Sequence, residues 1–127
     1  MLSSYPAVPT LAVSDLARAR EFYEGVLGLS PTSELPEGMM YGVASGAVFV
    51  YRSGYAGTNK ATAVSFQVPD AAFDEELSAL RSKGVTFQTF EAEGITWDGD
   101  VANMEGARSV WFADPDGNIL NLETATA

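Results

Sequence analysis

Hydrophobic positions near the start of the chain follow first the period of a strand and then the period of a helix. Val8 to Val13 alternates as a half-buried strand does, and Ser14 and Asp15 form a helix N-cap signal directly after it. A stripe at helical spacing follows, and Gly28 stands where such a helix ends. The stripe comprises Leu16, Ala19, Phe22, Tyr23, Val26 and Leu27. The pattern predicts a strand followed by an amphipathic helix.

Two short β-rich runs come next. The polar, proline-containing stretch 30–37 is interpreted as a connection, whereas residues 39–43 and 47–51 predict two strands. The loop 44–46 between them ends in glycine, as three-residue hairpin loops do. Counting outward from that loop sets Met40 opposite Val50.

The same order of elements then starts again. Residues 61–68 predict a strand, Asp70 is a cap residue, and a second helical stripe ends at Gly84. Residues 85–90 predict a further strand, and the stretch that follows is rich in loops, with residues 95–97 as a short strand. We therefore expect two βαβββ repeats, at about residues 5–59 and 60–125, within a single domain of residues 1–127.

The last hairpin determines which side chains share a face. Pro115 and Gly117 suit a three-residue loop. Counting outward gives the pairs Asp114 with Asn118, Ala113 with Ile119, and Trp111 with Asn121. The opposite face carries only apolar side chains. A large aromatic residue beside an amide is typical of a binding surface, and also of an ordinary half-exposed sheet face.

Composition and charge limit the partners. The chain has 127 residues, of which 46% are hydrophobic, so it can bury one core. Seventeen acidic against seven basic residues give a net charge of −10, which argues against nucleic acid or an anionic membrane as partner. No apolar run is long enough to span a membrane, and residues 1–9 lack the pattern of a signal peptide. We expect a cytoplasmic protein.

The chain has neither histidine nor cysteine. It therefore cannot form a Ser-His-Asp triad, an imidazole-ligated metal site, a thiolate nucleophile or a disulfide. It also has no glycine-rich phosphate loop. What remains is carboxylate acid–base chemistry, a magnesium or calcium site made of oxygen ligands, lysine or tyrosine chemistry, or binding without catalysis.

The order and spacing of these motifs resemble the vicinal oxygen chelate superfamily, which includes glyoxalases, extradiol dioxygenases, fosfomycin-resistance transferases and bleomycin-binding proteins. The resemblance rests on residues 11–15, Phe22-Tyr23, Leu27-Gly28-Leu29 and above all Asp114-Pro115-Asp116-Gly117-Asn118. It implies an α+β fold in which two βαβββ repeats form a curved mixed sheet around a cleft. The motifs are specific for the fold and not for a function.

In the metal-dependent members of this superfamily, four ligands, usually two His and two Glu or related residues, face the concave side of the sheet. Placed by motif, these positions fall at Val8, Val50, Ala63 and Asn121. None of the four is a competent ligand for a divalent transition metal. The resemblance therefore implies a branch of the superfamily without the metal site, and we expect no cofactor.

Alternation along the strands places a mostly apolar set of residues on the sheet face that would line the cleft. Phe49 and Tyr51 fall on the opposite, helix-facing side and are predicted to be core residues. Such a cleft binds neutral or aromatic small molecules, although the same side chains could also fill the space between two sheet halves. Trp97 either closes over the cleft or anchors its own loop. The face comprises Val8, Thr10, Met40, Val48, Val50, Ala63, Ser65, Trp111, Ile119 and Asn121.

The sequence thus predicts metal-free binding and sequestration of a largely apolar, aromatic small molecule, with drug or antibiotic protection as the biological use. The alternative is an enzyme, either a lyase, isomerase or dioxygenase relative with a metal elsewhere, or a catalyst that uses a carboxylate such as Glu123 or Asp98. A regulatory or structural interaction module is a third class. The resemblance also implies a homodimer, although one chain carries both repeats and could close its own cleft. The predicted ligand-binding residues are Val8, Thr10, Met40, Val50, Ala63, Ser65, Trp97, Trp111 and Asn121.

Overall fold

The computed structural model describes residues 1–124, and its elements follow the predicted order in two repeats. A 3-10 turn at Leu2–Ser4 precedes them. Repeat one comprises β1 (Thr10–Val13), α1 (Leu16–Arg20), a π-helical turn (Glu21–Val26), β2 (Ser30–Leu35), β3 (Gly38–Val43) and β4 (Gly46–Arg52). Repeat two comprises β5 (Thr62–Val68), α2 (Asp70–Ser82), β6 (Thr96–Asp98), β7 (Val101–Met104), β8 (Ala107–Ala113) and β9 (Ile119–Thr124).

Each repeat forms its own mixed sheet. The strand order is β1-β4-β3-β2 in the first sheet and β5-β9-β8-β7-β6 in the second. In both sheets the strand before the helix pairs in parallel with the last strand of the repeat, and the other pairs are antiparallel. The α+β class is confirmed, and both repeats follow the βαβββ order, with one additional strand in the second repeat.

The predicted first helix is confirmed at both ends. The Asp15 carboxylate accepts a hydrogen bond from the Arg18 backbone N–H at 3.1 Å, which satisfies one of the unpaired donors of the first turn. At the other end, the Leu27 N–H donates to the Phe22 carbonyl at 3.0 Å, a π-helical bond. Gly28 then takes a φ of 73°, which stops the helix.

Three predictions of strands and connections are wrong, each for a segment at or beyond the end or edge of a sheet. Residues 30–37, interpreted as a connection, contain the strand β2 at the edge of the first sheet. Nearly every residue of β2 is exposed, so it has no hydrophobic alternation to detect. Val8 lies before β1 and is exposed, not within the strand. Residues 85–90 form one isolated bridge, between Gln88 and Trp111, instead of a full strand.

The register of β3 and β4 differs from the prediction by one residue. Val43 pairs with Gly46, so the turn has two residues and not three. Met40 therefore lies opposite Phe49, and Met39 opposite Val50. A slip of one residue exchanges the two faces of a strand.

The last hairpin is as predicted. Trp111 pairs with Asn121, and Ala113 pairs with Ile119. The Asp114 N–H donates to the Asn118 carbonyl at 3.0 Å. Gly117, with a φ of 85°, closes the turn in a conformation that glycine adopts without strain.

Both sheets turn their buried faces toward a common core that includes α1 and its π-helical turn. The Tyr23 ring stacks on Tyr41 of the first sheet with centroids 5.9 Å apart, and Phe22 contacts Phe112 of the second sheet at 6.4 Å. Each sheet therefore has an outer face, turned away from the helices. The outer face of the first sheet carries Thr10, Ala12, Met40, Phe49 and Tyr51, and that of the second carries Ser65, Ser109, Trp111, Ile119, Asn121 and Glu123.

A polar junction, formed by Tyr23, Asp114 and Asn118, joins the two repeats. Asp114 is buried, and its carboxylate accepts hydrogen bonds from the Tyr23 hydroxyl at 2.7 Å and from the Asn118 side-chain amide at 2.8 Å. The same amide donates to the Ala12 carbonyl of β1 at 2.8 Å. Burial, together with the negative charge of Asp114, raises the pKa of Tyr23. The Tyr23 hydroxyl is accordingly the donor in the hydrogen bond to Asp114.

Candidate functional site

The outer face of the second sheet carries three aromatic rings in contact, which we call the aromatic cluster: Phe90, Trp97 and Trp111. The Phe90 ring lies 4.8 Å from the Trp111 ring and 5.4 Å from the Trp97 ring, in edge-to-face geometry in both cases. The two indoles are 6.2 Å apart. Such contacts stabilise beyond the area they bury, and they leave ring faces for a further aromatic partner.

Local structure explains how the cluster forms. Trp111 lies in the middle of β8, Trp97 reaches it from the edge hairpin of β6 and β7, and the Gln88 bridge brings Phe90 alongside. The Trp111 indole N–H donates to the Thr62 hydroxyl at 3.2 Å. This bond fixes the indole against β5.

Two cavities lie against the cluster and share Thr89 and Phe90. The first has a volume of about 450 Å³ and is lined by Lys60, Ala61, Thr62, Gln88, Thr89, Phe90, Trp111 and Ile119. The second has a volume of about 540 Å³ and is lined by Thr89, Phe90, Glu91, Ala92, Ile95, Trp97 and Gly99. Both volumes fall in the range of small-molecule sites. Lys60 supplies a cation to the first cavity and Glu91 a carboxylate to the second.

Ser65 and Asn121 were also predicted to bind the ligand. Ser65 of β5 and Asn121 of β9 are paired positions on the outer face of the second sheet. Asn121 is nevertheless buried, and its side-chain nitrogen donates to the Ser109 hydroxyl and to the Val110 carbonyl. Its amide hydrogens are thus used within the sheet. Asn121 also lines neither of the two cavities beside the aromatic cluster.

Thr10 and Met40 lie on the outer face of the first sheet, as predicted, but their neighbours differ from those expected. Phe49 and Tyr51, predicted to be core residues, stack there with centroids 5.8 Å apart and rings 7° from parallel. We call this half-exposed pair the aromatic shelf. The two cavities beside Trp111 are lined by residues of the second repeat, and neither Phe49 nor Tyr51 is in their linings.

Three predicted site residues have other positions. Val50 is fully buried in the core because of the register of β3 and β4, and Val48 is buried with it. Ala63 stands at a β-bulge, between the pairs that Thr62 and Val64 make with β9, and packs against the core. Val8 precedes β1 and is exposed.

These positions also decide whether the metal of the superfamily fits. Of the four motif positions, Val50 points into the core, Val8 and Ala63 are apolar, and the Asn121 nitrogen is used by its own sheet. Within residues 1–124, no group of three or more acidic side chains is arranged to hold an ion. The residues present at this site do not fit a transition metal.

Four residues that contribute to the aromatic shelf or the aromatic cluster are not among the predicted ligand-binding residues: Phe49, Tyr51, Thr62 and Phe90. Phe49 and Tyr51 would have been found from the correct turn length. Phe90 is 43% exposed and follows a single bridge, so no periodicity marks it. Thr62 was included in a strand, but only its hydrogen bond to Trp111 connects it with the site.

Two βαβββ repeats, each with a parallel outer pair of strands and a helix on one side, define the vicinal oxygen chelate class of folds. The chain belongs to the Glyoxalase/Bleomycin resistance protein/Dioxygenase superfamily, whose sequence model matches residues 6–122. The resemblance seen in the sequence is thereby confirmed. No curated protein matches the chain.

Solved structures show the same fold at low sequence identity. An integron cassette protein from the mobile metagenome of the Halifax Harbour sewage outfall is 24% identical, with a TM-score of 0.72, over 95% of this chain and 98% of that one. The fosfomycin resistance protein FosX from Listeria monocytogenes, complexed with Mn(II) and sulfate, is 16% identical, with a TM-score of 0.72, over 97% and 93%. A glyoxalase/bleomycin resistance protein/dioxygenase from Alicyclobacillus acidocaldarius is 17% identical, with a TM-score of 0.69, over 95% and 92%.

No helix in residues 1–124 has both the length and the apolar character needed to cross a bilayer.

Proposed function

We propose that this protein binds and sequesters a largely apolar, aromatic small molecule at the aromatic cluster, without a metal and without chemical conversion. The observation that carries the proposal is the contact of Phe90, Trp97 and Trp111 beside two cavities of ligand size. Aromatic rings supply large contact areas, and the polar groups around them orient a ligand.

The polar groups available for orientation are few. Thr89, Gln88 and Lys60 border the cavities, whereas Asn121 is buried and lines neither of them. The Thr62 hydroxyl already accepts the Trp111 indole bond. Recognition in this proposal therefore rests mainly on stacking and buried area.

The biological use we propose is protection against a toxic aromatic compound in the cytoplasm. Support comes from similar structures that include fosfomycin resistance proteins and integron cassette proteins. The metal-dependent chemistry of relatives is not proposed here, because the motif positions do not fit a transition metal.

A binding screen that also examines the recovered ligand tests the function. The purified protein is titrated with aromatic antibiotics while tryptophan fluorescence is followed, and each recovered compound is analysed by mass spectrometry. We expect saturable quenching with an unchanged ligand mass. A covalently altered compound would make the protein an enzyme, and a complete lack of binding would favour an interaction module.

A homodimer is the second part of the proposal. The aromatic shelf is apolar and half-exposed, which suits the core of a two-fold interface. If the shelf of one protomer faces the aromatic cluster of its partner, two equal clefts form, each with aromatic rings on both sides.

Light scattering after size-exclusion chromatography tests the dimer. We expect a dimer mass for the parent chain and a monomer mass for Phe49→Glu, because the new carboxylate would be desolvated in the interface. Ser78→Glu, on the exposed side of α2, is the matched control and should remain a dimer. A monomeric parent at tens of micromolar would contradict the prediction while leaving the binding proposal open to its own test.

A further inference from the structure

A separate cavity opens on the helix side of the second sheet, where the two repeats meet. It has a volume of about 160 Å³, and apolar side chains from both repeats form most of its lining. Phe112 is its buried floor, whereas Leu27, Leu29, Phe66 and Leu80 are only partly buried. We call it the junction cavity. Because Phe112 and Trp111 are neighbours in one strand, the sheet itself separates this cavity from the aromatic cluster.

The end of the first helix supplies two residues of the cavity lining, Leu27 and Leu29. The π-helical turn, closed by the bond from the Leu27 N–H to the Phe22 carbonyl, is wider than an α-helical turn. The Leu29 N–H then bonds to the Tyr23 carbonyl at 2.9 Å, which anchors the chain after Gly28. Leu27 and Leu29 are thereby fixed at the edge of the cavity and do not close it.

One charged side chain lines the cavity. Glu76 of α2 is exposed, and within residues 1–124 it takes part in no ion pair. The described residues of the lining include no lysine or arginine. Together with the net charge of −10, this arrangement favours a positively charged group beside an apolar body.

We infer that the junction cavity binds a small amphiphilic cation, namely a single aromatic ring or short alkyl chain that bears one ammonium group, with the apolar part against Phe112 and Leu80 and the ammonium group at Glu76. Size supports this class, since an apolar cavity of about 150 Å³ takes up one benzene molecule. A larger aromatic drug would extend beyond the apolar lining. A carboxylate of the same size would be repelled by Glu76.

The test uses three probes of one size and different charge: benzylamine, toluene and benzoate. Each is titrated into the full-length protein while NMR follows the methyl signals of Leu27, Leu29 and Leu80, with the indole N–H signals of Trp97 and Trp111 as reporters of the other site. Glu76→Gln removes the charge at the cavity. Glu75→Gln, an exposed neighbour outside the lining, is the matched control.

We expect benzylamine to shift the three leucine methyl signals in a saturable way, toluene to do so more weakly, and benzoate not to do so. Glu76→Gln should weaken benzylamine binding about 2- to 5-fold, as expected for an exposed carboxylate, and leave toluene binding unchanged. Glu75→Gln should change neither. Equal binding of benzylamine to both variants and the parent would remove Glu76 from the site. Shifts confined to the indole signals, or none, would overturn the proposal as a whole.

Discussion

Replacing Asp114 by alanine is expected to lower the free energy of unfolding by about 3 to 5 kcal/mol, a large part of the stability of a domain of this size. The carboxylate accepts four hydrogen bonds: from the Tyr23 hydroxyl, the Asn118 side chain, and the backbone N–H groups of Asp116 and Asn118. With alanine, these donors lose their acceptor in a buried place. Leaving buried donors unpaired costs more than the bonds contribute.

Urea denaturation followed by tryptophan fluorescence measures this loss. Asp74→Ala is the matched control, because Asp74 is exposed and forms a surface ion pair with Arg108, which should contribute less than about 1 kcal/mol. Tyr23→Phe should lie between the two variants, since it removes one donor and leaves no donor unpaired. A loss for Asp114→Ala no greater than that for Asp74→Ala would show that the junction does not hold the repeats together.

Trp111→Ala is expected to weaken binding of an aromatic ligand by about 1 to 3 kcal/mol, which corresponds to about 5- to 150-fold in Kd. Trp111 makes the shortest contact of the aromatic cluster, 4.8 Å to Phe90, and lies within β8, which pairs with β9, so its removal takes away a firmly held ring face. Trp97→Ala should cost less, because Trp97 lies in the short edge strand β6 and its shortest contact in the cluster is 5.4 Å.

The measurement has two parts, since Trp111 also supports its sheet through the bond to Thr62. Thermal unfolding without ligand measures how much stability the substitution removes. Titration with the best compound from the screen measures the affinity per folded molecule. Tyr55→Ala, which removes an 81% exposed ring outside the cluster, is the control and should change neither value greatly. If the affinity of folded Trp111→Ala equals that of the parent, the aromatic cluster is not the binding site.

Turn chemistry predicted part of the site correctly. Pro115 and Gly117 allow few backbone conformations, and so the pairing of Trp111 with Asn121 could be counted from the turn. In the other hairpin, Ala44 and Ser45 carry no such restriction. Residues 47–51 are apolar at every position, so hydrophobicity did not correct the register and the faces of Val50 and Phe49 were exchanged.

The burial of Asn121, the bulge at Ala63 and the position of Phe90 could not be predicted from the sequence for a different reason. Hydrophobic periodicity reports burial along one strand, whereas the amide of Asn121 can be buried because Ser109 of the neighbouring strand accepts its hydrogen bond. The bulge at Ala63 and the approach of Phe90 through a single bridge likewise depend on partners distant in sequence. The fold followed from local patterns, but the composition of the site required the tertiary structure.

The polar junction has a consequence for the way the molecule assembles. Asp114 is oriented by backbone N–H groups of its own turn, so the hairpin of β8 and β9 can prepare this acceptor through local contacts alone. Tyr23 and the Ala12 carbonyl are far away in sequence and can join only when repeat one docks. Closing that long loop costs more conformational entropy than forming the local contacts of the hairpin. Because the junction is complete only when both repeats are in place, we expect the two repeats to unfold in one cooperative transition, with urea melts followed by fluorescence and by circular dichroism coinciding.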